Sequence, residues 1–138
     1  MGFRAIEDSL AALICHGALT RFPDLKVLVV ENGSGWVPNL LRLLEKAYKT
    51  MPNEFEEHPI EVFKRNIYIH PFLEDDVQKI VDIMGEDHVM FGSDFPHPEG
   101  IGDPLSFVDR LDGLSETTKA KIMGGNAIKQ LGLSKVSA

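Results

Sequence analysis

Lys26-Val27-Leu28-Val29-Val30-Glu31-Asn32-Gly33-Ser34-Gly35-Trp36-Val37-Pro38 is the stretch on which the fold turns. An unalternated β-branched run stops at a carboxylate, passes a glycine-bracketed turn and enters a helical pattern with proline in its first turn. Such a run reads as a strand covered on both faces, which is the habit of parallel sheets. Proline suits the head of the following helix, where its missing N–H costs nothing. Two later runs repeat the theme: Asn66-Ile67-Tyr68-Ile69, stopping at His70-Pro71-Phe72, and His88-Val89-Met90-Phe91, stopping at Gly92-Ser93-Asp94-Phe95-Pro96-His97.

Between the runs the apolar period changes to that of a helix. Val37, Leu40, Leu41, Leu44, Ala47 and Tyr48 share one face, and Leu73, Val77, Ile80, Val81 and Met84 another, with Asp75 and Asp76 at its head and Gly85 as its stop. Upstream, Ile6, Leu10, Leu13, Ile14 and Gly17 predict a helix ending before Phe22-Pro23. Downstream, Ser115 caps a helix over 116–123, Gly124-Gly125 interrupts it, and a last turn runs to Leu131. Residues 49–57 read as a surface loop and 59–65 as a short helix. The alternation predicts an α/β fold of right-handed βα units around a parallel sheet. Three parallel strands leave two open edges, so the chain reads as part of a larger barrel or sheet.

Composition narrows the function classes. The 138 residues carry 14 Lys+Arg against 21 Asp+Glu, a net charge of −7, with 43% apolar side chains. An acidic chain of this kind lacks the electrostatic footprint of a nucleic-acid or anionic-membrane binder. One cysteine, Cys15, excludes an intramolecular disulfide; it reads as a small buried hydrophobe without an adjacent base. No apolar run nears the roughly 20 residues that span a bilayer, and no signal-peptide pattern follows Met1, so the expected location is cytoplasmic. One domain over 1–138 is expected, a partial one.

In parallel α/β folds ligands sit at the carboxyl ends of the strands. Each apolar run here stops at a titratable side chain, and Glu31, His70 and Asp94 should therefore share one rim. A carboxylate and an imidazole meeting there supply metal ligands or an acid/base pair; the plainer reading is that any strand turns polar where it meets water. Asp94 is the sharpest candidate, its backbone fixed by Gly92-Ser93 before it and Phe95-Pro96 after it. His97 could contact substrate or orient Asp94, and His70 is held extended by Pro71. His16, His58 and His88 read as structural or solvated, the last at the wrong end of its strand. Trp36 reads as a packing anchor ahead of a stacking platform, and stands with His97 and His70 as a candidate substrate-binding residue. Gly33-Ser34-Gly35 could cradle an anion, although tight strand-to-helix packing explains its glycines better.

Arg21-Phe22-Pro23-Asp24-Leu25-Lys26-Val27, Glu31-Asn32-Gly33-Ser34-Gly35-Trp36-Val37-Pro38, Phe63-Lys64-Arg65-Asn66-Ile67-Tyr68, Phe91-Gly92-Ser93-Asp94-Phe95-Pro96-His97-Pro98-Glu99-Gly100 and Gly125-Asn126-Ala127 occur in that order. Together they resemble the latter half of the amidohydrolase-related family, metal-dependent (β/α)8 barrels that include hydrolases and nonoxidative decarboxylases. The resemblance implies that the chain corresponds to barrel strands six to eight. It also implies that Asp94 binds the divalent metal, expected to be Zn²⁺, and accepts a proton from its water. Glu31, which shuttles a proton to the leaving group in this reading, falls where the decarboxylases carry a histidine. The family's H-x-H pair and the histidine after its fifth strand have no counterpart in these residues, and His16 cannot stand in.

The expected function is therefore that of the C-terminal portion, or fragment, of a metal-dependent hydrolase, inactive alone, acting on a small-molecule amide, ester or lactone. Decarboxylation of an aromatic or unsaturated carboxylic acid is the alternative. A non-catalytic remnant or a binding or oligomerisation module is the alternative of another class. Expected partners are the substrate and either a second copy or the rest of the barrel, with no nucleic acid and no membrane. The loops at 33–36 and 97–102 would select substrate.

Overall fold

Gly17, in the left-handed region at φ 70°, divides the first predicted helix in two. In the computed structural model, which describes residues 4–133 except 73 and 99, helix α1 (Arg4–Cys15) is followed by a single turn, α2 (Ala18–Arg21). The chain forms two compact units, one of Met1–Val27 with Ser34–Ile67 and one of Leu28–Gly33 with Tyr68–Ala138. Strands β1 (Val27–Val29) and β2 (Ile67–Ile69) are where the chain passes from one to the other. Among the described residues no helix is long and apolar enough to cross a membrane.

The first unit is helical. α3 (Val37–Thr50) has Pro38 in its first turn and buries Val37, Leu40 and Leu44, the spacing read from the sequence. It runs almost to a 3-10 turn at Pro52–Glu54, so the loop expected over 49–57 is shorter than predicted. α4 (Pro59–Asn66) buries Val62 and Phe63, and Phe63 meets Trp36 edge to face with ring centroids 6.3 Å apart. The buried Asn66 amide donates to the carbonyls of Pro23 at 2.9 Å and Leu25 at 2.7 Å. The end of α4 thus holds the segment entering β1, and the bonds satisfy carbonyls that would otherwise be costly to cover.

The second unit carries the strand ends. β1 and β2 form a parallel pair, and the His70 N–H continues it by donating to the Val29 carbonyl at 3.0 Å. The third apolar run departs from expectation. His88 belongs to a 3-10 turn (Glu86–His88) and stacks on Tyr68, and the run contributes one parallel bridge, Ile69 to Val89, with Met90 N–H donating to the Ile69 carbonyl at 2.9 Å. Beyond Met90 the run leaves the ladder, and the Phe91 N–H, which faces the opposite edge, donates to the carbonyl of Ile122 at 2.9 Å.

Ile69 and Val89 are fully buried. Covering side chains of this size stabilises by about 1.5–3 kcal/mol each.

α5 (Val77–Met84) starts at Asp76, whose carboxylate accepts from Lys79 N–H at 3.1 Å, and stops at Gly85 with φ 83°. Both ends are as the sequence predicts; Leu73, part of the same pattern, lies outside the described residues. A 3-10 stretch over Pro104–Leu111, which no sequence signal assigned, buries Phe107 and Leu111. α6 (Glu116–Ala120) has the expected Ser115 cap and passes through a π-helical turn (Lys121–Gly125) into α7 (Asn126–Leu131). Asn126 then donates to the carbonyls of Glu86 and Val89, pinning α7 behind the third run.

Candidate active site

Glu31 and Asp94 each follow a β run and each take a left-handed backbone, at φ 58° and 57°. Asparagine and aspartate tolerate that region, but glutamate seldom visits it, and its persistence means the surroundings dictate it. The two carboxyl groups are near enough for Glu31 to feel Asp94 both as a hydrogen-bond partner and as a charge. Two carboxylates this close cannot both be charged cheaply, so Glu31 is pushed above the ordinary carboxylate range, first by that bond and then by the negative charge of Asp94.

His97, half-exposed, places Nδ1 at 3.4 Å from Asp94 Oδ2. His70 lies beneath the pair, 5% exposed, and burial lowers its basicity although Asp94 and Asp75 favour its charged form. A carbonyl can only accept, so the 2.9 Å contact of His70 Nε2 with the Gly92 carbonyl makes Nε2 the protonated nitrogen. Its Nδ1 accepts from the backbone N–H of Glu31 at 3.5 Å. Gly92 is the seat of the ring, since a Cβ there would come within 3.0 Å of His70 Cε1.

Around these side chains is a cavity of about 330 Å³ lined by Glu31, His70, Phe72, Asp94, His97 and Phe107, with Glu74, Ser93, Ile101 and neighbouring backbone completing the wall. The size suits a small organic molecule. The loop beyond Asp94 closes on itself: His97 N–H donates to Asp94, Gly100 N–H to His97 and Ile101 N–H to Ser93. A Cβ at Gly100 would lie 2.7 Å from the Asp94 carbonyl oxygen and 2.9 Å from those of His97 and Ser93, so only glycine fits.

The structure therefore brings Glu31, His70, Asp94 and His97 together at the carboxyl ends of the runs. Trp36 is elsewhere, 1% exposed in the core of the first unit. Gly33 takes φ 57° and packs on Phe72, where a Cβ would come within 2.8 Å of the ring; tight packing is its evident role. Cys15, expected to be buried, is exposed at the end of α1, because the break at Gly17 turns the chain before its face is covered. Partial desolvation raises its thiol, the opposite of an activated nucleophile. His58 caps α4 by accepting from Ile60 N–H at 3.3 Å, and His16 lies in the turn after α1.

Sequence reasoning missed Phe72, Glu74 and Phe107 as cavity walls and Gly92 and Gly100 as obligatory glycines. A glycine two residues before a candidate aspartate was a usable signal. Phe107 had none, because it arrives from a distant 3-10 stretch.

Among the described residues no three His, Cys, Asp or Glu side chains are grouped so as to hold a metal ion. Glu31 and Asp94 offer oxygen donors of the kind divalent cations accept, and further ligands would have to come from outside these residues.

Comparison with known proteins agrees with the placement of these elements. A family profile described as amidohydrolase matches residues 6–133. The chain is similar to an amidohydrolase of Mycobacterium avium subsp. paratuberculosis K-10, with a TM-score of 0.92 and 45% identity over 94% of this chain and 34% of that one. It is 29% identical over 130 residues to the 2-amino-3-carboxymuconate-6-semialdehyde decarboxylase of Dictyostelium discoideum, covering 91% of this chain and 36% of the relative.

Two further structures share the fold. They are 5-carboxyvanillate decarboxylase from Sphingomonas paucimobilis (TM-score 0.73, 24% identity, 88% of this chain and 38% of that one) and a dihydroxybenzoic acid decarboxylase from Polaromonas sp. JS666 (TM-score 0.72, 23% identity, 97% and 42%). The latter holds manganese and 2-nitroresorcinol. The chain spans about a third of the length of the curated relative it matches, and its α/β units match part of these barrels.

Proposed function

The chain belongs to the amidohydrolase family, and from that membership we propose that it supplies the strand-six-to-eight portion of a metal-dependent carboxy-lyase. Its substrate class is an aromatic or unsaturated carboxylic acid that loses CO₂ without oxidation. The observation that carries the reading is the approach of Glu31 and Asp94, both on left-handed turns and both lining a cavity with aromatic walls. Beside one relative named as an amidohydrolase, the other three are named as decarboxylases, which favours this chemistry over the hydrolysis that the sequence suggested first.

Asp94, with Glu31 beside it, would give oxygen ligands to a divalent metal, manganese or zinc. Such an ion, when bound, draws in the substrate's negative charge and lowers the pKa of its water. Glu31 holds a proton more readily than an ordinary carboxyl because of the Asp94 carboxyl beside it. It can deliver that proton to the carbon from which CO₂ departs. His97, with Nδ1 3.4 Å from Asp94 Oδ2 and half-exposed, is placed to meet the substrate's polar groups. Phe72 and Phe107 form the apolar side of the cavity.

Hydrolysis of an amide, ester or lactone remains the second reading, favoured by one feature: a carboxyl group at Glu31 can equally protonate a leaving group. The test uses the full-length protein that carries these residues, loaded with Mn²⁺ or Zn²⁺. Release of CO₂ from aromatic and enoic acids supports the proposal, and hydrolysed amides or lactones without CO₂ overturn it. Asp94→Asn should lower turnover by about a hundredfold or more.

A further inference from the structure

We propose that His70 is a positioning residue, a neutral strut in the Nε2–H form that ties three chain ends together and so sets the left-handed turns carrying Glu31 and Asp94. The inference rests on the reading that this carboxyl pair is the reacting centre. Three bonds define the strut. The His70 backbone N–H donates to Val29 at 3.0 Å, Nε2–H donates to the Gly92 carbonyl at 2.9 Å, and Nδ1 accepts from the Glu31 N–H at 3.5 Å.

The last two bonds need one protonation state. If Nδ1 carried a proton it would face the N–H of Glu31, donor against donor, and the ring would let go of that turn. A left-handed glutamate persists only when its neighbours over-determine it. Here the over-determination is visible: one ring nitrogen holds the Glu31 amide itself, and the other holds the carbonyl two residues before Asp94.

Gly92 completes the device. A Cβ at that position would press on the ring, at 3.0–3.2 Å from Cε1, Nε2 and Nδ1. At 5% exposure, with both nitrogens engaged by backbone, His70 has no lone pair turned to the cavity. It therefore acts through Glu31 and Asp94.

The tautomer is read directly in the wild-type full-length protein by long-range ¹H–¹⁵N correlation of histidine-labelled material. A neutral Nε2–H ring is expected; an Nδ1–H ring or an imidazolium at neutral pH overturns the proposal. The second measurement compares His70→Phe, which keeps ring volume and loses both bonds, with His70→Gln, which restores a donor toward Gly92. In His70→Phe the crystal structure should show the Glu31 and Asp94 carboxyl groups moved apart, and Mn²⁺ alone should bind at least about tenfold more weakly, the scale of lost outer-shell support.

His70→Gln should recover to within about threefold of wild type, a rescue that packing alone would not produce. An intact carboxyl pair in His70→Phe, or unchanged Mn²⁺ affinity, counts against the strut. Should the wild type bind no Mn²⁺, the metal-centre reading fails by itself, and the tautomer and the carboxyl separation still decide the role of His70.

Discussion

At the scale of single residues, the decisive facts are the two left-handed carboxylates and what their contact does to protonation. Glu31 holds its proton more tightly in the folded chain than its ordinary value of 4.5 allows, chiefly through Asp94. A raised carboxyl pKa contributes stability that is fully present below the unfolded value and is lost as pH rises through the folded one. Thermal melts of metal-free protein should therefore show Glu31→Gln matching wild type near pH 4 and melting above it near pH 8, where wild type must carry both charges. Equal melting temperatures at both pH values would show that the pair shares no proton. Which residues would form the rim was legible from the sequence, since each apolar run stops at a titratable side chain. That Glu31 and Asp94 touch was not, because the touch depends on backbone angles that neither residue type announces.

Elements show the same division between local and distant signals. Caps and periods are local, so Asp76, Gly85, Pro38 and Ser115 marked helix ends that the structure reproduces. Asp76→Ala should cost about 1 kcal/mol in chemical denaturation through loss of its bond to Lys79 N–H. The break at Gly17 was hidden because apolar spacing continues across it, and the third run, which forms one bridge, is held at Phe91 by the carbonyl of Ile122, a partner 31 residues away that no local pattern announces. The loop after Asp94 is governed by a glycine that carbonyls surround. Gly100→Ala has no room among the backbone oxygens of Ser93, Asp94 and His97 and should destabilise by about 1–3 kcal/mol. Activity of the full-length enzyme should fall with it, since the Asp94 turn must move; unaltered kinetics would show the loop to be tolerant.

For the molecule as a whole, burial and open edges pull in opposite directions. Ile69 is fully buried, paired on one side through Met90 and joined to Val89 by the only bridge among the described residues outside the named strands. Ile69→Ala should cost about 2–5 kcal/mol in denaturant unfolding, the range for emptying a packed site. The outer edge of β1 ends beside Val30, 49% exposed, and an unpaired parallel edge seeks a partner. The 138 residues expressed alone should self-associate in size-exclusion chromatography with light scattering, and a monodisperse monomer would contradict this. The need for further strands was readable from three runs too few to close a sheet. The bond from Phe91 to the carbonyl of Ile122 has a corollary. Losing the chain from Ile122 onward would remove more than a tail: it would unmoor the run leading to Asp94, so such truncations should register as damage to catalysis.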